Sequence, residues 1–91
     1  MNHLAFERLR PLLDSPTITD ICFNKYNEIF FDQGQGLEPW PESAQVFANE
    51  MAYRNFVLEG LSLSGKTWDA KLPFVDAIFF GTHRAHVSFP P

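Results

Sequence analysis

Ninety-one residues, 45% hydrophobic and including ten phenylalanines, suffice for one core but not for a parallel nucleotide-hydrolysing sheet, whose crossovers take roughly 30 residues each. A formal net charge of −4 without a basic cluster argues against a nucleic-acid or anionic-membrane surface. The lone Cys22 leaves no intrachain disulfide or thiolate metal site, no apolar run approaches the ~20 residues of a membrane span, and no signal peptide is expected at the start.

From His3 to Arg10 the spacing of Phe6, Leu9 and Leu13 predicts an amphipathic helix. Pro11 removes an amide hydrogen and clashes with the preceding turn, so the helix is expected to stop or kink there, with Leu12-Leu13 starting a short second turn. Ile18 to Phe23 alternates and is β-branched enough for a strand; Cys22, in the apolar run Ile21-Cys22-Phe23, is expected to be a buried structural thiol, and the compartment reducing. Asn24 to Asn27 supplies a turn, Glu28 to Asp32 a second strand, and Leu37 to Trp40 a short edge-like third strand bounded by Pro39 and Pro41. These three form a meander.

Ser43 to Glu59 contains neither Gly nor Pro, which predicts a helix with Ser43 as N-cap and Gly60 at the C′ position, presenting Phe47, Met51, Leu58 and Leu61 on one face. After Pro73, Phe74 to Phe80 and His83 to Phe89 read as two strands of a hairpin. A two- or four-residue turn over Gly81-Thr82 would set Phe79 opposite Arg84. The fold class is therefore α+β: residues 1–91 form a single domain with an antiparallel sheet of about five strands and two helical segments.

Gly60 to Thr67, GLSLSGKT, fits the P-loop pattern G-x-x-x-x-G-K-S/T at every fixed position. In a true P-loop, backbone N–H groups of the glycine turn cradle phosphates, the lysine reaches the β/γ oxygens and the hydroxyl ligates Mg²⁺. Such a loop follows a buried strand and opens a helix. Here the first glycine ends a helix, Pro73 leaves little room for another, and the chain is too short for the sheet. The segment is thus read as a helix end followed by a loop.

His83 and His86 are too few ligands for zinc, and residues three apart on a strand face opposite sides. Asp69 and Asp76 read as solvated or turn-capping carboxylates, and Arg84 as a surface charge, from their local pattern alone.

Two stretches carry a resemblance. LRPLLDSPTITDICFN with EIFFDQGQGLEPW, Leu9 to Trp40, resembles the opening of the secretion and pilus-assembly ATPases of the CpaF/TadA branch, relatives of the type IV secretion traffic ATPases. Their N-terminal domains carry an L-L-D-P-x-I/V-S/T-D/E-I run and then E-R-G-G-x-L-E-P. GKTWDAKLPFVDAIFFGTHRAHVSFPP is similar to the end of the same domain, with Asp69, Pro73, Val75, Asp76, Ala77, Arg84, Pro90 and Pro91 on matching positions.

The resemblance implies a non-catalytic N-terminal domain of a hexameric ATPase whose catalytic RecA-like domain, with the true P-loop, would follow Pro91. It implies no cofactor in this chain and ATP with Mg in the full-length protein. The implied partners are the chain's own C-terminal ATPase domain, further copies in a ring, and inner-membrane secretion or pilus proteins at the cytoplasmic face of the membrane; nucleic acid is not among them. Of the family's two phosphate-cleft arginines, the second falls on Arg84, the candidate ATP phosphate contact, and the first falls on Ile78. An isoleucine offers no donors, so half of that clamp is missing. The alternative is a stand-alone protein–protein interaction module, with Phe79 and Phe80 as its patch if exposed.

Overall fold

The computed structural model describes residues 3–66, 74–79 and 83–88. In chain order these form α1 (His3–Leu13), β1 (Asp20–Lys25), β2 (Glu28–Asp32), β3 (Leu37–Pro39), a 3-10 turn (Ser43–Gln45), α2 (Glu50–Leu63), β4 (Phe74–Phe79) and β5 (His83–Ser88).

α1 runs through Pro11 without stopping. Its buried stripe is Ala5, Leu9 and Leu12, and Leu12 can join that stripe only if the helical path continues past the proline. Pro11 removes the donor that would bond Glu7 O, but both residues are exposed, so that carbonyl stays open to water.

One five-stranded sheet has the order β3-β2-β1-β5-β4. The meander β1-β2-β3 and the hairpin β4-β5 are antiparallel within themselves, but they join through β1 and β5, which run parallel. The sheet is therefore mixed. Local patterning identifies each hairpin but says nothing about how two hairpins meet, which is settled by α2 carrying the chain across between them.

α2 starts later and ends later than its sequence pattern suggests. Ser43 is buried in the 3-10 turn, with its hydroxyl bonded to Ile29 O and Trp40 O and accepting from Ile29 N–H. The N-cap is Asn49, whose side chain accepts from Ala52 N–H at 2.9 Å. Gly60 lies inside the helix, and the left-handed terminal glycine is Gly65, at φ +75°.

The buried face of α2 is Tyr53, Phe56, Val57, Gly60 and Leu61, which corrects the expected stripe: Met51 and Leu58 are exposed. Gly60 is what rotates the face. It occupies an inward position because the Phe79 ring sits so close that a Cβ there would lie 2.8 Å from Phe79 Cζ. Phe79 is buried against it and cannot be part of an exposed patch; Phe80 lies outside the described residues.

On this covered side of the sheet, Ile21, Phe23, Ile29, Ala77, Phe79, Ala85 and Val87 meet the two helices. Phe23 packs against Phe79 and Phe56 with ring centroids 5.8 and 6.4 Å apart. Tyr53 adds a polar tie, its hydroxyl lying 3.1 Å from Phe23 O and 2.8 Å from Ser88 O.

Candidate functional site

Strand alternation that sends Ile21, Phe23, Ala85 and Val87 to the core sends Asp20, Cys22, Arg84 and His86 to the other face. The registers arrange that face in rows. One row reads Asp32, Asp20, Arg84, Ile78 from β2 to β4; the next reads Phe30, Cys22, His86, Asp76. Both helices pack on the opposite side, so among the described residues this face carries charge and partly exposed apolar groups without a helical cover.

The β4-β5 register pairs Phe79 with His83 and Ile78 with Arg84. The connection is thus three residues long, and the expected pairing of Phe79 with Arg84 is off by one. Ile78 and Arg84, the two positions that the resemblance matches to arginines, are therefore direct cross-strand neighbours in one row. In this chain the row holds one guanidinium and one half-exposed isoleucine.

Arg84 is bound on one edge. Its Nε lies 3.0 Å from Asp20 Oδ1 and its Nη2 3.1 Å from Asp20 Oδ2, a two-point pairing of guanidinium and carboxylate. Asp20 also accepts from the Thr19 hydroxyl at 2.6 Å and lies 2.9 Å from His86 Nε2. The other His86 nitrogen, Nδ1, is 2.8 Å from Asp76 Oδ1. One imidazole thus bridges carboxylates on β1 and β4.

Burial pushes the Asp20 carboxyl up, but the Thr19 and His86 hydrogen bonds and the Arg84 charge outweigh it and leave the group below the usual aspartate range. His86 is raised, first by its bond to Asp20, against some desolvation, and further by Asp76. Cys22, expected to be buried, is instead half-buried on this same open face beside His86, because the strand alternation turns Ile21 and Phe23 into the core in its place. Burial, followed by the Asp76 and Glu28 charges, raises its thiol, which disfavours the thiolate.

Two grooves flank the Arg84-His86 ridge. One, of about 540 Å³, lies toward the end of α2 and is lined by Leu63, Lys66, Asp76, Ile78, Arg84 and His86. The other, of about 410 Å³, is lined by Asp20, Cys22, Asp32, Leu37, Arg84 and His86. Among the described residues the first has two formal cations to one carboxylate and suits an anion better than the second, which has two carboxylates to one cation.

The P-loop pattern has a different use. Lys66 N–H bonds Leu61 O at 2.8 Å and Gly65 N–H bonds Ser62 O at 3.1 Å, the paired bonds of a Schellman helix ending. Backbone donors that a P-loop would aim at phosphate are consumed by the carbonyls of α2. The negative end of the helix dipole also points at this loop. Thr67, like Asp69, lies outside the described residues. His83 and His86 face opposite sides of β5, His83 inward and His86 on the open face, and among the described residues no group of three His, Cys, Asp or Glu could hold a metal ion.

The sequence singled out Arg84 but not its partners. Asp20 and His86 are 66 residues apart and Asp20 and Arg84 are 64 apart, so no local spacing links them. An aspartate at the head of the apolar run Ile21-Cys22-Phe23 was the available signal, since a charge there needs a partner.

Among solved structures, the VirB11 ATPase of the Brucella suis type IV secretion system, crystallised in complex with sulphate, has this fold: the TM-score is 0.67 at 22% identity, over 98% of this chain and 26% of that one. The chain therefore spans about a quarter of that protein's length. No family model matches the sequence, and no curated protein matches it.

Proposed function

We propose that this chain is a non-catalytic domain of a hexameric ATPase that powers secretion or pilus assembly. In this reading it sits over the nucleotide cleft of a separate RecA-like domain and passes the motion of the ATPase cycle to inner-membrane partners at the cytoplasmic face. The observation that carries the reading is the match of nearly the whole chain to part of a VirB11 ATPase. It agrees with the secretion-ATPase resemblance of Leu9 to Trp40 and Gly65 to Pro91; assignment to the CpaF/TadA branch rests on that resemblance alone.

Within this reading Arg84 is the residue that meets ATP phosphate. It is a mostly exposed cation on the open face, and its fork geometry suits phosphate oxygens. ATP and Mg belong to the complete protein, and this chain hydrolyses nothing by itself. The helix-end geometry at Gly65 and Lys66 supports that division of labour.

The gene provides the first test. Reading past Pro91 should reveal a second G-x-x-x-x-G-K-S/T within about one further domain length; a stop codon directly after Pro91 would sink the proposal. In the longer product, Arg84→Ala should lower ATP turnover, and an unchanged rate would remove Arg84 from the nucleotide site.

A further inference from the structure

We infer that Asp20 is a positioning residue for Arg84, gripping the guanidinium by its Nε–Nη2 edge so that the opposite edge is presented to a phosphate-class oxyanion beside β4. The inference rests on the proposed role of Arg84 and adds the residue that makes Arg84 competent for it.

A guanidinium has five N–H donors. Side-on pairing with Asp20 uses the Nε–H and one Nη2–H, which leaves both Nη1 hydrogens and one on Nη2 for an end-on fork. Arg84 needs such a hold because its side chain is 65% exposed, and an untethered arginine samples many rotamers. Asp20 can supply it because its own carboxylate is 12% exposed and is fixed independently of Arg84, by the Thr19 hydroxyl and His86 Nε2.

The row geometry separates the two edges. Asp20 is the cross-strand neighbour of Arg84 on one side, and Ile78 is its neighbour on the other. No carboxylate therefore occupies the far side of Arg84 within its row. The groove there is bounded by Ile78, Leu63 and Lys66, and the acid that lines it among the described residues, Asp76, is engaged by His86 Nδ1. Lys66 adds long-range attraction from an exposed position.

A rival reading of the same contacts makes Asp20 a competitor that fills the Arg84 fork and must be displaced. The two readings differ in sign. The experiment is a titration of this chain with inorganic triphosphate, followed by arginine side-chain and backbone ¹⁵N–¹H spectra, on the wild type, Arg84→Ala and Asp20→Asn. Positioning predicts that the wild type binds, that the Arg84 Nε–H resonance stays in its Asp20-bonded position as the Nη signals shift, that Arg84→Ala abolishes binding, and that Asp20→Asn weakens it at least tenfold. Tighter binding by Asp20→Asn, loss of the Nε–H signature on saturation, or no binding to the wild type at millimolar triphosphate would overturn the inference. The wild-type Nε–H behaviour decides between the readings even if Asp20→Asn fails to fold. Failure here leaves the gene-level test of the proposed function standing, and failure there leaves this titration informative.

Discussion

The two faces of this sheet use the same strands for opposite ends. On the covered face, aromatic rings pack so closely against α2 that a Cβ at Gly60 would lie 2.8 Å from Phe79 Cζ. On the open face, four charged or titratable side chains bond to one another across three strands while staying partly wet. Burial of rings yields large, non-directional stabilisation, whereas exposed ion pairs are worth little to stability and much to geometry. The covered face should therefore govern whether the chain folds, and the open face what it recognises.

The largest effect that would test this division is Phe79→Ala. Removing a ring that contacts Phe23 and Gly60 should cost about 3–5 kcal/mol in urea or thermal unfolding, enough to consume much of a small domain's stability. A loss under 1 kcal/mol would mean that the helix does not pack on β4 as described. Next is Gly60→Ala, which places a methyl 2.8 Å from Phe79 Cζ. Overpacking of about 1–3 kcal/mol is expected, although alanine is ordinarily the better helix former; stabilisation would contradict the close approach.

Gly65→Ala sharpens the contrast at the motif itself. Forcing a Cβ into φ +75° should cost about 1–2 kcal/mol, with no dependence on added nucleotide, because the glycine ends a helix. A variant of unchanged stability would question the Schellman ending.

The smallest effect belongs to the open face. His86 is raised by its carboxylate partners, so its contribution is present in full below the ordinary histidine value of about 6.5 and is lost as pH rises through the folded-state value. Asp20 is lowered, so its contribution is present above the ordinary aspartate range and is lost as pH falls through its folded-state value. Unfolding midpoints measured across pH should show a shallow alkaline decline in the wild type that is flattened in His86→Gln. Identical slopes in the two proteins would dissolve the Asp20–His86–Asp76 bridge.

The covered face was largely legible in the sequence because it is written in local periodicity. The alternation of Ala85-His86-Val87 identified the inward residues of β5, and Glu28–Asp32 matches β2 to the residue, but on β1 the expected burial of Cys22 picks the wrong face, since Ile21 and Phe23 are the residues that point inward. The errors came where tertiary packing overrode a local rule. Pro11 is a local signal for a stop or kink, but burial of Leu12 keeps the helix going. Gly60 is a local signal for a helix end, yet it lies in the helix interior against the Phe79 ring.

The open face was barely legible. Its central contacts join β1 to β5, and a parallel pairing between segments more than 60 residues apart leaves no spacing to read. Only the resemblance pointed to Arg84. The one-residue difference in the β4-β5 register then showed that Ile78 occupies the place directly across from it.

The most direct test of the whole account asks which cation of this chain meets phosphate, the lysine of the P-loop spelling or the arginine of the open face. The chain should be titrated with ATP and Mg alongside Lys66→Ala and Arg84→Ala. We predict weak binding that is lost in Arg84→Ala and changed no more than about threefold in Lys66→Ala, as for an exposed charge acting at a distance. Tight binding that survives Arg84→Ala and disappears in Lys66→Ala would restore the P-loop and contradict the account.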